Sequence, residues 1–319
     1  MGIRSRFYDA AGEDKEIELS AGVVKGLTDE QLLWVDVEQP RPADLEEIAA
    51  AFEFPTAIMS ALAAPGDDAR LVRAPEVTLL TVLSTEIQDG RDKPIAVDLV
   101  AGRNVVVSIH AQPVSAIDEF ESHVSDEQSL GKLNAGSFLG GVVDTMLGSF
   151  RRGVEEIEAE VDKLDEIALR GKDPGDFLER VVRLRRRAAT LRRMLVPQRE
   201  TFGPLSRPDF ELHEELGQPW PGLVDRLEKT ISGVERARDL LVGSSDIYLG
   251  RMAQRSGEVM KALTILSAVL LPAVVVAGVM GMNFKLGFFD NPNNFWLVVA
   301  AMLGLAALVL GVARLRHWI

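Results

Sequence analysis

The chain has 319 residues, of which 47% are hydrophobic and 26% are charged, a balance that on average suits a soluble protein. Its formal net charge of −13 argues against a nucleic-acid-binding role for the chain as a whole and suits a domain that meets cations. The chain contains no cysteine, so disulfides and thiolate metal sites are excluded.

The first 130 residues predict a compact α/β domain. The β-rich runs LLWVDV, EVTLLTVLSTEI, IAVDLVAG and NVVVSIH alternate with helical segments such as ADLEEIAAAF. The turn AGRN, residues 101–104, separates two β-rich runs and predicts a hairpin. The opening residues lack the apolar core of a secretory signal, which predicts that this region stays in the cytoplasm.

Nothing in this region predicts a catalytic site, because it contains no phosphate loop, nucleophile elbow or metal-ligand cluster. Its histidines, His110 and His123, lack close carboxylate or histidine spacing. We interpret both as ordinary surface or satisfied groups. An enzyme is therefore the least favoured class, and no catalytic cofactor is expected.

From about Ser137 the hydrophobic residues follow the alternating four-and-three spacing of packed helices. The break GKDPGD, residues 171–176, supplies a helix stop and a fresh start, so we expect two antiparallel helices joined by a tight turn. We interpret the Arg-dense run 183–193 as a solvated face paired with the acidic run 155–166, rather than as a nucleic-acid or lipid patch. The seam positions are Val143, Leu147, Phe150, Val154, Ile157, Val161, Leu164 and Ala168, then Phe177, Val181, Leu184, Ala188, Leu191 and Leu195.

A third helical region starts near Leu223 and meets no strong breaker before Pro272. If it continues to Met280, it has about 60 residues and is ~90 Å long at 1.5 Å per residue. This length predicts a stalk that leaves the membrane and projects into the cytoplasm. A helix that is both stalk and span can transmit a movement of the soluble region to the bilayer.

Two uncharged runs, residues 262–284 and 291–313, predict transmembrane helices. Each can cross a hydrocarbon layer of ~30 Å, which takes roughly 20 helical residues. Lys261 precedes the first run and Arg314 follows the second, whereas the linking turn carries only Lys285 and Asp290. This bias predicts a multi-pass protein of the cell membrane with both termini in the cytoplasm and the turn outside.

The first span carries a stripe of small or weakly polar residues at helical spacing. Small residues let membrane helices approach closely, and the same stripe can line a pore when several copies surround an axis. The second span is apolar on every side, as a lipid-facing outer helix would be. The stripe consists of Met260, Thr264, Ser267, Leu271, Val274, Gly278 and Gly281.

The run GEVMKALTILSAVLLPAVVVAGVMGMNF, residues 257–284, resembles the stalk-to-pore segment of the CorA-type magnesium transporters. The family hallmark is a Gly-Met-Asn tripeptide, here Gly281, Met282 and Asn283. It is joined to an upstream MKxLT motif, to a proline nine residues before the tripeptide and to a second span with a short basic tail. The resemblance covers most of the chain, weakly before residue 130 and strongly after residue 240.

The resemblance implies an α+β membrane protein that assembles as a funnel-shaped homopentamer. It implies inward transport of Mg²⁺, and also of Co²⁺ or Ni²⁺, with no nucleic-acid partner. The corresponding regions are 1–130 (cytoplasmic α/β domain), 131–260 (helical bundle and stalk), 261–283 (pore-lining transmembrane helix), 284–294 (outer loop), 295–313 (second transmembrane helix) and 314–319 (cytoplasmic basic tail).

The same template assigns the pore residues. Asn283 forms the selectivity ring, together with Gly281 and Met282. Its neutral carboxamide oxygens can hold Mg²⁺ through the ion's water shell and still release it. Met260 and Leu271 are hydrophobic constrictions, and Thr264, Val274 and Gly278 line the path between these constrictions and the Asn283 ring.

The resemblance further implies a regulatory Mg²⁺, bound between cytoplasmic domains, that closes the pore. Acidic residues must hold this ion, and Asp225 and Glu228 are candidates by position, as are Asp67, Asp68 and Glu76 of the N-terminal region. For each of them the alternative interpretation is a charge on a solvated surface.

Three positions depart from the family pattern. Met280 replaces a common aromatic residue, Gly257 replaces an expected asparagine, and Lys285 stands where an acid would gather cations. Two alternatives stay open: a zinc transporter of the same superfamily, and a membrane-anchored sensor or scaffold without transport.

Overall fold

A computed structural model describes most of the chain, and it divides into two compact units. The first unit comprises Met1–Glu166 and Asp173–Ser244, and the second comprises Ile167–Lys172 and Ser245–Ile319. The residues described are 2–9, 14–28, 30–64, 66–88, 90–126, 134–170, 175–207, 220–282 and 293–315.

The first unit contains a seven-stranded sheet in the order β2-β1-β3-β7-β6-β5-β4. The pair β3 and β7 is parallel, and the other pairs of neighbouring strands are antiparallel. The strands are β1 (Gly2–Asp9), β2 (Lys15–Glu16), β3 (Gln31–Glu38), β4 (Arg70–Ala74), β5 (Val77–Gln88), β6 (Arg91–Ala101) and β7 (Val105–His110).

Helices cover both faces of this sheet, because successive strand residues point to opposite sides. On one face, Val35 of β3 packs in a buried cluster with Ile48 of α2 (Pro42–Phe52) and Ile58 of α3 (Thr56–Ala63). The short helix α1 (Ala21–Lys25) adds partly buried residues to that cluster. On the other face, the ring of Trp34 lies 6.2 Å from that of Phe120 in α4 (Ser115–Asp126).

The predicted α/β pattern is confirmed in this unit. The four β-rich runs form β3, β5, β6 and β7, and ADLEEIAAAF forms most of α2. At the predicted hairpin, Ala101 pairs with Val106, and the N–H of Gly102 donates to the carbonyl of Val105 at 2.9 Å. The edge strand β4 and the inner strand β1 were not predicted.

Three long helices follow the sheet: α5 (Ala135–Arg170), α6 (Phe177–Leu205) and α7 (Trp220–Met280). Every predicted seam position of α5 and α6 is buried. The side chains of Glu160 and Arg180 lie 3.0 Å apart, and Gly153 lies against Leu191, so the two helices run antiparallel as predicted. Residues 171–174 of the predicted turn lie outside the described residues.

The Arg-dense run of α6 was only partly interpreted correctly. Arg187 does bond Glu156 of the acidic run, at 2.6 Å, but most of its side chain is buried rather than solvated. Arg192 is half exposed and lies 3.5 Å from Glu235 of α7 instead. The run therefore contacts the sheet and α7 as well as α5.

The second unit contains the rest of α7 and the last helix, α8 (Asn293–Leu315). The predicted unbroken third helix is confirmed, because α7 continues for 61 residues through Pro272. Both helices are long and apolar enough to cross a membrane, by length and composition. They match the two predicted spans.

Candidate functional site

The stripe predicted to line a pore lies along one side of the apolar part of α7. All seven positions are exposed, and Leu271, in the middle of the stripe, is 67% exposed. The stripe carries two hydroxyl groups, those of Thr264 and Ser267, and it ends on two glycines, Gly278 and Gly281. It is therefore the more polar and less bulky side of this helix.

The opposite side of α7 is half-buried. At 3.6 residues per turn, the half-buried positions fall roughly half a turn away from the stripe. They are apolar throughout. These positions are Ile265, Val269, Pro272, Ala273, Val276 and Met280.

Helix α8 has a matching half-buried side. Two such sides, one on each apolar helix of the same compact unit, indicate that the helices pack along them. The stripe of α7 consequently faces away from α8. The α8 positions are Asn294, Val298, Val299, Met302, Ala306 and Val309, followed by the buried Ala313.

The hydroxyl of Thr264 shows how the stripe presents polar atoms. It donates to the carbonyl of Met260, one turn earlier, at 2.8 Å. Because the hydroxyl hydrogen is used within the helix, the oxygen retains lone pairs that can accept hydrogen bonds from water. Such an oxygen can contact the water shell of a cation.

Helix α7 ends at Met280 and continues as a turn. The N–H of Gly281 donates to the carbonyl of Ala277 at 2.9 Å, and that of Met282 donates to Val279 at 3.2 Å. Two of the predicted filter residues are thus placed just beyond the last helical turn. Asn283, Lys285 and Asp290 lie outside the described residues.

The acidic candidates for a regulatory ion lie in different settings. Asp225 is exposed on α7. Glu228, nearly one turn later, accepts a hydrogen bond from Arg199 of α6 at 2.6 Å, so its charge is already paired. Asp67, Asp68 and Glu76 are exposed. Within the part of the chain that the structure describes, no three acidic or histidine side chains form a group that could hold a metal ion.

Sequence reasoning missed a cluster of buried polar side chains at the centre of the sheet. Asp36 of β3 is 2% exposed and contacts Arg4, Ser108 and His110. The available signal was Asp36 itself, an acid in the apolar strand LLWVDV, because a buried carboxylate requires partners. His110 is satisfied, as interpreted, but it is buried rather than at the surface.

Comparison with known sequences finds one family and several relatives. The profile of the family described as CorA-like Mg²⁺ transporter protein matches residues 29–313. The chain is 27% identical over 230 residues to the cobalt/magnesium transport protein CorA of Thermotoga maritima, covering 70% of this chain and 64% of that protein. Over 302 residues it is 22% identical to the protein of the same name from Methanocaldococcus jannaschii, covering 91% of this chain and 92% of that protein. It is also 23% identical over 295 residues to the zinc transport protein ZntB of Yersinia enterocolitica, covering 91% of this chain and 88% of that protein.

A solved structure shows the same fold. The complete CorA magnesium transporter from Methanocaldococcus jannaschii matches with a TM-score of 0.80, at 20% sequence identity, over 99% of this chain and 98% of that one. The predicted architecture of an N-terminal α/β domain, a long helical region and two C-terminal apolar helices is confirmed.

Proposed function

Because the chain belongs to the CorA-like Mg²⁺ transporter family, whose members are transporters and not enzymes, we propose that it carries Mg²⁺ inward across the cell membrane through a pore of five α7 helices. The ion moves down the membrane potential. An inside-negative potential contributes ~2.3 kcal/mol per charge per 100 mV, or ~4.6 kcal/mol for a divalent ion.

The observation that carries this proposal is the division of α7 into two opposite sides. The half-buried side is apolar throughout, whereas Thr264, Ser267 and Gly278 are exposed on the opposite side. A helix that only anchors a protein in lipid has no need of hydroxyls and glycines on its free side. Such a side suits close approach of several α7 copies around a shared path.

Within this pore, the tripeptide forms the outer filter. A ring of Asn283 carboxamides, next to Gly281 and Met282, holds hydrated Mg²⁺ without stripping its water shell, because Mg²⁺ dehydrates reluctantly. Met260 and Leu271 form hydrophobic constrictions that close by excluding water. Lys285 and Asp290 form the outer rim.

Between the constrictions, Thr264 presents hydroxyl oxygens to the hydrated ion. Val274 and Gly278 keep the path wide between Leu271 and the filter. Both chain termini lie on the cytoplasmic side in this proposal. Five chains surround one path, so each residue named here occurs as a ring of five.

Intracellular Mg²⁺ closes the pore by binding between neighbouring copies. Asp225 is the better candidate ligand, because it is exposed, whereas Glu228 is engaged by Arg199. The described residues of one chain contain no group of three acidic or histidine side chains suited to a metal. We therefore place the regulatory site between two copies, each of which supplies part of the ligands.

Cysteine scanning tests the two-sided helix directly, since the chain has no cysteine of its own. Single substitutions Thr264→Cys, Ser267→Cys and Val274→Cys are placed on the stripe, with Ile265→Cys, Val269→Cys and Val276→Cys as matched controls on the opposite side. Mg²⁺ flux into proteoliposomes is measured before and after a charged methanethiosulfonate reagent. The reagent should block flux at the stripe positions and spare it at the controls. Equal effects on both sides would overturn the pore assignment.

Zinc transport is the second candidate, favoured by the long alignment with ZntB. Flux of Mg²⁺, Co²⁺ and Zn²⁺ is compared in the same liposomes, with and without a potential and a pH gradient. The proposal expects Mg²⁺ flux that rises with potential. Zn²⁺ flux driven by a pH gradient would favour the alternative, and absence of flux from assembled protein would favour a scaffold.

A further inference from the structure

Four side chains meet at the centre of the sheet where β3 and β7 run in parallel. Asp36 of β3 pairs in register with Ser108 of β7, and His110 follows at the end of the same strand. Trp34 lies on the same face of β3, two residues before Asp36. All four are at most 2% exposed, so hydrogen bonds within the protein must satisfy their polar atoms.

The direction of each hydrogen bond follows from what each group can do. The indole N–H of Trp34 can only donate, and it donates to the Ser108 hydroxyl oxygen at 3.1 Å. The Ser108 hydroxyl donates in turn to Oδ1 of Asp36 at 2.5 Å. On the other oxygen, Arg4 of β1 donates from Nε at 3.2 Å and from Nη2 at 2.7 Å. Asp36 is thus a carboxylate that accepts on both oxygens.

The two ring nitrogens of His110 both face such acceptors. Nε2 lies 3.1 Å from Oδ1 of Asp36, and Nδ1 lies 2.6 Å from the carbonyl oxygen of Gln112. Neither oxygen carries a hydrogen, so both nitrogens must donate. Only the doubly protonated imidazolium does this. A neutral ring would point a lone pair at one of the two oxygens.

The charges around the ring agree with this state. Burial alone lowers the pKa of His110, but the hydrogen bond and the charge of Asp36 outweigh it and raise the pKa, with a further contribution from Glu38. Burial alone raises the pKa of Asp36, yet the bonds from His110, Ser108 and Arg4 lower it.

Among the described residues, the other charged groups that reach the cluster are Arg4 of β1, which is bonded to Asp36, and two acids of α4. Strand β6 places the apolar Val97 opposite His110. The acids of α4 that reach this cluster, Asp118 and Glu121, are bonded to Arg4 at 3.2 Å and 3.3 Å.

The bond from Nδ1 fixes the connection between β7 and α4. Gln112 lies in that connection, and its side chain accepts a hydrogen bond from Gln88 of β5 at 3.0 Å. Helix α4 in turn contacts α5, because Glu119 of α4 accepts two hydrogen bonds from Arg152 of α5, at 2.8 and 3.1 Å. A conformational change at Gln112 would therefore occur close in sequence to the start of α4.

We propose that doubly protonated His110 acts as a lock, which holds the segment between β7 and α4 against the central strand pair β3 and β7. Loss of one ring proton as pH rises frees this segment. When the ring loses one proton, either Nδ1 or Nε2 no longer carries a hydrogen and can no longer donate to the oxygen that it faces. The contact at Gln112 is to a neutral carbonyl, whereas that at Asp36 is to a charged carboxylate. Charge-assisted bonds are the stronger, so the Gln112 contact is lost first.

The sign of the pH dependence follows from the raised pKa of His110. The stabilisation is fully present below the ordinary histidine pKa of ~6.5 and is lost as pH rises through the higher value in the folded protein. The Asp36 contribution has the opposite sense: it is present above the ordinary pKa of a carboxyl and is lost in acid. The lock therefore opens as pH rises above the ordinary histidine pKa of ~6.5.

The test uses the full chain in detergent micelles and makes no use of ion transport. Histidine carries a ¹³C label, and the His110 signal is the one that persists when His123→Gln, His213→Gln and His317→Gln are combined. Hydrogen exchange of residues 111–126 is followed over the same pH range, corrected for intrinsic exchange and compared with a peptide from α6.

The His110 ring should remain an imidazolium above pH 6.5, and exchange of residues 111–126 should rise about tenfold as it deprotonates, the loss of one hydrogen bond. The variant His110→Gln should show the raised exchange at every pH. The matched control is His123→Gln. His123 is an exposed histidine of α4, and among the contacts described it bonds only its own helix, at the carbonyl of Glu119. This variant should behave as the unmodified chain. A neutral His110 ring at pH 6.5 would overturn the lock. So would hydrogen exchange of residues 111–126 that does not change when the ring deprotonates. Both measurements are made with His110 in place.

Discussion

Arg187 of α6 donates to the carboxylate of Asp92 of β6 at 2.7 and 3.2 Å. The Asp92 side chain is 1% exposed and that of Arg187 is 18% exposed. The same guanidinium bonds Glu156 of α5. One side chain thus joins the sheet to two of the long helices.

Replacing Arg187 with methionine should destabilise the protein strongly, because it leaves the Asp92 carboxylate buried without a cation. Breaking a buried pair in this way costs ~3–5 kcal/mol. The measurement is denaturant unfolding of the full chain in detergent. The matched control is Arg151→Met, whose partner Glu155 is more than half exposed, and it should cost less than ~1 kcal/mol. Adding Asp92→Asn to Arg187→Met should recover part of the loss, and a double variant no better than the single one would contradict this account.

Gly141 lies where α5 meets α4. A β-carbon at this position would be 2.7 Å from Cε2 of Phe120, closer than real contacts allow. Gly141→Ala should therefore lower stability by ~1–3 kcal/mol through overpacking, although alanine favours a helix by ~1 kcal/mol. Gly148→Ala on the same helix is the matched control, since its nearest atom is the end of Arg152 at 3.9 Å, and it should stabilise. Phe120→Leu should rescue Gly141→Ala; equal melting of both glycine variants would refute the close approach.

In a host that lacks its own Mg²⁺ transporters, this protein should rescue growth, and Asn283→Ala should abolish that rescue. The substitution removes the carboxamide oxygens proposed to hold the hydrated ion, while the chain should still be made and assembled. Asn291→Ala, in the same turn of the sequence, is the matched control and should rescue growth fully. Unimpaired rescue by Asn283→Ala would remove this residue from the filter.

Asp225→Asn should raise the internal Mg²⁺ concentration that halves the flux by about tenfold, equivalent to ~1.4 kcal/mol of binding free energy. Melting should be unchanged, because Asp225 is exposed. Glu228→Gln, which breaks the bond to Arg199, should shift the inhibition curve less. A shift that is larger for Glu228→Gln would reverse the two roles.

The helices could be predicted well because their signal is local. Each seam residue from Val143 to Leu195 repeats at helical spacing, and this repeat requires no knowledge of the partner helix. The hairpin at residues 101–104 was likewise readable from its turn residues. The long helix α7 followed from the absence of a breaker before Pro272.

Strand β1 and the buried cluster could not be predicted in this way. Arg4 contacts Asp36, 32 residues away, and Asp118, 114 residues away. No local pattern of β1 reports these partners, and an isolated GIRSRFYD reads as too charged for an inner strand. For the candidate pore, the sequence names residue types at the right spacing, whereas the half-buried side of α7 could be identified only from the structure.

Because the two sides of α7 are opposite, the helix depends on its phase as well as its length. Deleting one residue between Ser267 and Leu271 would turn the residues that follow by about 100° relative to those before it, and the stripe would be divided between two sides of the helix. A seven-residue insertion completes nearly two turns and rotates the stripe by only ~20°. Natural variation in the length of α7 should therefore come in steps of seven residues, and a single-residue deletion here should be more harmful than many substitutions.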